Sequence, residues 1–191
     1  MIIMAETGLL TGYNIANVER VKIVTKEEQP KTHIWQTMTS FDAEPYIEEG
    51  EEVVQRVKNT IMGRIKTDDL AGGTDLTCED ERLIPEILAL VDGGTWDAES
   101  KTYTGPVVGK ETTRTPFDIY FYTSDRNTDG SVNTYLEWLY PSCKGSPVKG
   151  LGKDNEFSKP SYTIQSRPAT GESDKTIKVV EELPVPTPPG T

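Results

Sequence analysis

The chain has 191 residues, a formal net charge of −11 and a hydrophobic fraction of 35%, which indicates one domain with a modest core and long polar loops or arms. Acidic residues outnumber basic ones, and no cluster of Lys and Arg would form a positively charged surface. This composition argues against ordinary nucleic-acid binding. The sequence has no apolar stretch long enough to span a membrane and does not begin like a signal peptide, so we expect a soluble protein with no membrane insertion.

The first part of the chain predicts an arm, two strands and an acidic loop. Residues 1–20 have no hydrophobic period, and we expect an N-terminal arm there. Residues 21–27 alternate as a strand does, and residues 32–46 carry β-branched and aromatic side chains at strand spacing. The segment 42–52 is rich in carboxylates and contains Pro45 and Gly50, which predicts an acidic loop.

The middle of the chain predicts a further strand and one clear helix. Residues 51–66 have Val or Ile at every fourth position, and their β-branched content favours one long strand. A helix is expected at about 83–92, because Pro85 suits a first-turn position and an apolar stripe follows it. The pair Gly93–Gly94 is typical of a helix end.

The last third predicts a hairpin and two more strands. Residues 117–122 and 135–140 alternate between two faces, and the Asp-Gly pair between them is a strong hairpin signal. The proline-rich tail, residues 184–191, is expected to be extended. The predicted fold is therefore mainly β: a β-sandwich or open barrel of about six to eight antiparallel strands with one short flanking α-helix, spanning residues 21–183.

The predicted hairpin contains the opening of a calcium-binding pattern. Asp125, Asn127 and Asp129 stand at alternate positions before Gly130. A calcium loop of this kind needs an acidic residue at its twelfth position, where this chain has Leu136. The flanks also resemble strands and not helices. We therefore interpret the segment as a polar turn whose residue types satisfy turn geometry, and weak calcium binding is a secondary hypothesis.

The sequence predicts neither a catalytic site nor a cofactor, and we do not expect an enzyme. The single histidine, His33, cannot be assigned to a Ser–His or Cys–His arrangement, and the sequence has no Gly-x-Ser-x-Gly motif that would mark a nucleophile. The acidic pairs lie in loop-like runs, where a solvated surface explains them. Cys78 and Cys143 lack metal-binding spacing and are expected to be free thiols. Whether they lie close together stays open.

Four stretches, in this order and spacing, resemble the major tail proteins that form the tail tubes of siphophages. They are "YIEEGEEVVQRVKNTIMGRIKTDDLAGG", "GTDLTCEDERLIPEILALVDGG", "PFDIYFYT" followed by "YLEWLYPSCKGSPV", and "DNEFSKPSYTIQSRPATGES". Together the resemblance covers roughly residues 30–183. It matches the family's acidic turn and strand, the short helix ending in two glycines, the late aromatic hairpin and the loop near the C-terminus.

The resemblance implies a structural protein of the virion tail, assembled in the host cytoplasm. Such subunits form hexameric rings that stack into a tube, meet other tail proteins such as the tape measure and the terminator, and let DNA pass through the lumen. An acidic surface would repel the phosphate backbone, so that DNA slides past it. Six carboxylates are candidates for an inter-subunit or lumen-facing loop: Asp42, Glu44, Glu48, Glu49, Glu51 and Glu52. Gln55 and Asn59 are candidates for a lumen strand.

An alternative function belongs to a different class. A β-sandwich with several aromatic residues on its strands is also compatible with a ligand-binding module, which would recognise carbohydrate or bind calcium through residues 125–137. Aromatic side chains on neighbouring strands more often form cross-strand pairs and core contacts, so this hypothesis ranks second.

Overall fold

The computed structural model describes residues 12–150, 152 and 154–185. Over these residues the chain forms one α-helix and twelve β-strands. In chain order the elements are β1 (Ile15–Thr25), β2 (Thr32–Trp35), β3 (Met38–Glu48), β4 (Glu52–Val57), β5 (Thr60–Lys66), β6 (Leu70–Asp80), α1 (Pro85–Asp92), β7 (Thr95–Asp97), β8 (Thr102–Thr104), β9 (Phe117–Arg126), β10 (Val132–Gly145), β11 (Ser161–Ser166) and β12 (Thr176–Val180). No helix among the described residues is long and apolar enough to cross a membrane.

Eight strands form one antiparallel sheet, and the predicted β-sandwich with a short helix is confirmed. The strand order is β2-β1-β9-β10-β11-β6-β3, and β12 also pairs with β10. The sheet folds back on itself, because Phe41 of β3 stacks on Phe121 of β9 with ring centroids 4.1 Å apart. One layer therefore contains β2, β1, β9 and β12, and the other contains β11, β6 and β3.

The long strand β10 belongs to both layers. Its first part pairs with β9 and β12, and its last residues pair with β11. The register with β9 shifts between Tyr140 and Cys143. At this bulge Pro141 has no backbone N–H to donate, and Ser142 takes a positive φ of 51°. The irregularity lets one strand turn from the first layer into the second.

The core lies between the layers and is built on alternating strand positions. On β11, Tyr162, Ile164 and Ser166 are buried while the residues between them are exposed. A buried polar contact sits beside this row: the Trp35 indole Nε1 donates to Asp80 Oδ2 at 2.7 Å, and the Trp35 and Tyr162 rings meet edge to face.

The two cysteines are free thiols in the core, as predicted. Cys78 and Cys143 are both fully buried. Burial raises the pKa of the Cys143 thiol to about 12, and burial likewise raises the pKa of Cys78. Both therefore stay protonated at neutral pH and behave as small apolar side chains.

Helix α1 confirms the predicted helix and packs on the second layer. Pro85 occupies its first turn, where a missing backbone donor costs nothing. Ile87 and Val91 face the core. Gly93 ends the helix with a φ of 86° and donates its N–H to the carbonyl of Ala89.

The boundary predicted for the N-terminal arm is wrong. β1 begins at Ile15, so the last six residues of the predicted arm belong to a strand that pairs with β9. Two register shifts and a φ of 47° at Asn17 interrupt the side-chain alternation there, which hid the strand in the sequence. Residues 1–11 of the predicted arm lie outside the described residues.

Two predictions about residues 42–66 are also wrong. The predicted acidic loop is mostly strand, because β3 pairs with β6 as far as the pair Glu48 and Leu70. The predicted long strand is a hairpin of two strands, β4 and β5, joined at Lys58 and Asn59. Lys58 has a φ of 53° in this two-residue turn, a conformation in which Gly or Asn is more usual.

The C-terminal segment crosses the outer face of the first layer. After β12 the chain runs back toward β1, where the Arg20 guanidinium donates to the carbonyl of Pro184. The greater part of the predicted proline-rich tail, residues 186–191, lies outside the described residues.

Candidate functional site

The β4–β5 hairpin, with its stem at residues 50–51 and 67–69, projects from the sandwich, and we call it the arm. It forms a two-stranded sheet separate from the main one. The stem is held by hydrogen bonds from Gly50 N to Asp69 Oδ1 at 2.9 Å, from Glu51 N to Thr67 Oγ1 at 2.8 Å, and from Thr67 N to Glu51 O at 3.1 Å. At the strand rise per residue, the arm reaches about 20 Å from its stem to its turn.

The arm and its base carry many exposed apolar side chains. The most exposed are Ile65, at 71% of its full accessibility, and Met62 and Leu70, at 65% each. Across the hairpin, Ile65 stands directly opposite Val53. The exposed large hydrophobic residues of this region are Tyr46, Ile47, Val53, Val57, Ile61, Met62, Ile65 and Leu70. Large contiguous apolar patches are rare on the surfaces of monomeric proteins.

Charge is separated along the arm. Residues 53–66 contain four basic side chains and no acidic one, a formal charge of +4 in a chain of −11. The rest of the chain therefore carries −15. The base instead has six exposed carboxylates: Glu48, Glu49, Glu51, Glu52, Asp68 and Asp69. One ion pair, Arg64 Nε to Glu52 Oε1 at 2.8 Å, joins the two regions.

A groove lies at the base of the arm. It is lined by Glu48, by residues 70–72 of β6 and by the loop 168–174, and has a volume of about 550 Å³. Leu70 and Ala71 make part of its lining apolar, and three carboxylates border it: Glu48, Glu172 and Asp174. This volume is within the range of about 300–1,000 Å³ typical of small-ligand pockets.

The outward side of β3, β6 and β11 forms a polar surface, which we call the acidic face. Asp42 and Glu44 point outward from β3, and Glu79 does so from β6. Glu44 stands directly opposite Asp75, a pairing of like charges that Arg167 offsets by an ion pair with Asp75 at 2.6 Å. Tyr46 also lies on this face, under the Arg167 guanidinium. Other positions of the face are small or uncharged: Ser40, Thr77, Ser161, Thr163 and Gln165.

The acidic residues predicted as one site divide between two places. Asp42 and Glu44 lie on the acidic face, whereas the glutamates from Glu48 to Glu52 surround the arm base. Gln55 and Asn59, predicted for a lumen strand, lie on the arm, where Gln55 faces Gly63 and Asn59 is in the turn. The structure therefore does not bring them onto the surface that holds Asp42.

The basic character of the arm was missed in the sequence. Arg56, Lys58, Arg64 and Lys66 are separated by other residues, and no run of cations is visible. They come together only when the chain reverses at Asn59. The available signal was that no acidic residue interrupts positions 53–66 in an otherwise acidic chain.

The calcium-like segment forms the tip of the β9–β10 hairpin, and its acidic side chains have separate partners. Asp125 accepts from Asn14 N at 2.7 Å and from Asn133 Nδ2 at 3.0 Å. Asp129 accepts from the backbone and the hydroxyl of Ser131, and these hydrogen bonds lower the pKa of its carboxyl. Asn127 donates to the Ser131 hydroxyl. Turn hydrogen bonds thus account for the pattern.

The described residues contain no cluster of metal-binding side chains. No set of three or more His, Cys, Asp or Glu side chains is placed to hold a metal ion there. Of the aromatic residues on β9, Tyr122 is only 2% exposed and donates to Glu137, and Lys22 lies over the Tyr120 ring. These side chains are engaged with one another. His33 is half-buried on β2, and this burial lowers the pKa of its imidazole.

Comparison with models of known protein families gave no match to this chain. Comparison with curated proteins also gave no match. The arm, the groove at its base and the acidic face are therefore interpreted from their own geometry and charge.

Proposed function

We propose that this chain is a self-assembling structural subunit of the siphophage tail-tube type. Its rings of six copies would stack into a hollow tube, contact other tail proteins at the tube ends, and let DNA pass along the lumen. The observation that carries this proposal is the arm, which extends about 20 Å from its stem and carries exposed apolar side chains along its length. Side chains such as Ile65 and Met62 gain burial only against another surface.

The edges of the sheet support the same proposal. β3 is the last strand of its layer and spans eleven residues with one side unpaired by any strand among the described residues. A free strand edge of this length invites pairing with another chain unless it is covered. In a closed ring, such edges are covered by the neighbouring copies.

The acidic face suits the lumen. It combines carboxylates with short hydroxyl side chains, and the Tyr46 ring at its end is covered on one side by the Arg167 guanidinium. Negative charge at this surface repels the phosphates of DNA, so that the polymer passes without being held. Asp42 and Glu44 of β3 are the residues proposed for this role.

Electron microscopy of the purified chain tests the assembly. We expect rings or tubes in negative stain, and a chain that stays monomeric at every concentration tested would refute the proposal. The lumen is tested by Asp42→Lys combined with Glu44→Lys. Tubes of this variant should form as before but retain DNA at low salt, and retention equal to the original protein would exclude the acidic face from the lumen. A matched control is Glu99→Lys with Glu111→Lys, which makes the same change in net charge at exposed positions elsewhere.

A further inference from the structure

The tip of the arm is both apolar and basic, and nothing in its own chain covers it among the described residues. Val57, Ile61 and Met62 are 54%, 48% and 65% exposed. Arg56 and Lys58 flank these side chains and are also exposed. No ion pair is formed by either cation with a described residue. A partner for this tip must therefore offer an apolar surface bordered by negative charge.

The groove at the arm base has these two properties. Leu70 supplies exposed apolar surface, and Glu48, Glu172 and Asp174 border the groove. Of these carboxylates, Asp174 has only a loose contact with Lys175 at 3.9 Å. The remaining carboxylates of the base, such as Glu49 and Asp68, extend the negative surface beyond the groove. Tip and groove thus match in polarity and in charge.

One chain cannot make this contact with itself. The tip and the groove are at opposite ends of the same hairpin, separated by about 20 Å of paired strand. The contact therefore requires two copies. Two copies of net charge −11 repel each other as wholes, but at short range the +4 segment of one copy is attracted to the acidic remainder of the other.

We propose that the basic tip of one arm docks in the acidic groove at the arm base of a second copy. This inference rests on the proposed self-assembly and names the contact that carries it. Because the two surfaces differ, a bound pair still presents one free groove, on the copy that gives its tip, and one free tip, on the copy that gives its groove. Contacts of this heterologous kind propagate into closed rings or into stacks.

Charge reversal tests the contact. The tip variant combines Arg56→Glu with Lys58→Glu, and the groove variant combines Glu48→Lys with Asp174→Lys. At low salt, we expect each variant to need about tenfold more protein to assemble in sedimentation velocity, because repulsion replaces attraction at the interface. Combining all four substitutions restores the charge match and the original net charge, and should restore assembly.

The control variant, Lys101→Glu with Lys110→Glu, makes the same change in net charge as the tip variant away from both surfaces. If it weakens assembly as much as the tip variant, or if the combined variant stays as weak as its parents, the proposed docking is wrong. A wild-type chain that assembles while both reversals have no effect overturns the docking and leaves self-assembly standing. A chain that never assembles overturns both.

Cross-linking tests the contact directly. One population carries Met62→Cys at the tip and the other carries Leu70→Cys at the groove, and the two are mixed with a short bis-maleimide. The native thiols are buried and should not react. We expect covalent dimers from this mixture and few from a mixture in which Val108→Cys, 99% exposed and far from the groove in sequence, replaces the groove variant.

A polyanion is the competing partner for a basic tip. A labelled DNA oligonucleotide therefore accompanies each assay. Suppose that the wild-type chain binds DNA, and that the tip variant loses this binding but assembles as the wild type does. That result would overturn the docking in favour of nucleic-acid binding. We expect no such binding, since the −15 of the remaining chain repels phosphates.

Discussion

The stem of the arm offers the sharpest test of the arm geometry, through Gly50→Ala. A Cβ at this position would lie 1.9 Å from the carbonyl oxygen of Thr67 and 2.9 Å from that of Asp68. Both are backbone atoms, so the two sides of the stem must separate by about 1 Å to relieve the overlap. This movement weakens the hydrogen bond from Thr67 N to Glu51 O, which is 3.1 Å long.

Overpacking of this kind costs about 1–3 kcal/mol. The stem lies outside the core, so the loss should appear in local opening of the arm and not in the global free energy of unfolding. A loss of this size makes amide exchange in residues 51–66 about 5- to 150-fold faster. Hydrogen exchange measured by mass spectrometry gives the arm rates, and urea unfolding gives the global stability.

Gly63→Ala is the matched control on the same arm. A Cβ at Gly63 would meet only the Gln55 side chain, at 3.8 Å, which is an ordinary contact. We expect its exchange rates to stay near those of the original protein. Equal exchange in the two variants would refute the stem geometry, and loss of global stability in Gly50→Ala would show that the arm is not an independent unit. Assembly should weaken in Gly50→Ala alone, because its tip is displaced.

Further predictions concern the core and the hairpin tip. Burial raises the pKa of both thiols, so above about pH 8.5 they ionise in the unfolded chain but stay protonated in the folded one. Ionisation stabilises the unfolded state, and the free energy of unfolding should therefore fall as the pH rises above this value. At pH 9.5 the fall should be about 1.4 kcal/mol per thiol. Cys143→Ala should remove about half of this fall in urea titrations, and an unchanged slope would contradict the cause. Trp35→Phe should lower the free energy of unfolding by about 2–3 kcal/mol, because the buried Asp80 carboxylate loses its indole donor. Adding Asp80→Asn should recover part of this loss. If the losses of the two single variants simply add in the double variant, the two residues are not coupled. Millimolar calcium should leave the melting temperature unchanged, and a rise that disappears in Asp129→Asn would favour the binding-module alternative.

Local signals in the sequence predicted a large part of the fold. The β9–β10 hairpin was found because its turn contains Asp129-Gly130, and Gly130 indeed takes a positive φ of 84°. The helix was found because Pro85 and Gly93 mark its two ends. Both elements are defined by residues adjacent in the chain, so no tertiary information was needed.

The arm could not be predicted in the same way. Val53, Val57, Ile61 and Ile65 repeat every fourth residue, a spacing that one continuous strand satisfies as well as a hairpin does. The turn that separates them uses Lys58 in a conformation for which lysine gives no signal. The separation of charge along the arm follows from that turn and was missed with it.

The shared strand β10 has a consequence for the order in which the protein can form. β3 and β6 are synthesised early and can pair at once, but the strand that joins their layer to β1 begins only at Val132. About ninety residues separate β1 from its partner β9, and pairing across so long a segment makes closure of the sheet slow. An emerging chain therefore exposes unpaired strand edges and the arm while it is still on the ribosome. Contact between such incomplete copies would lead to misassembly before the sandwich has closed.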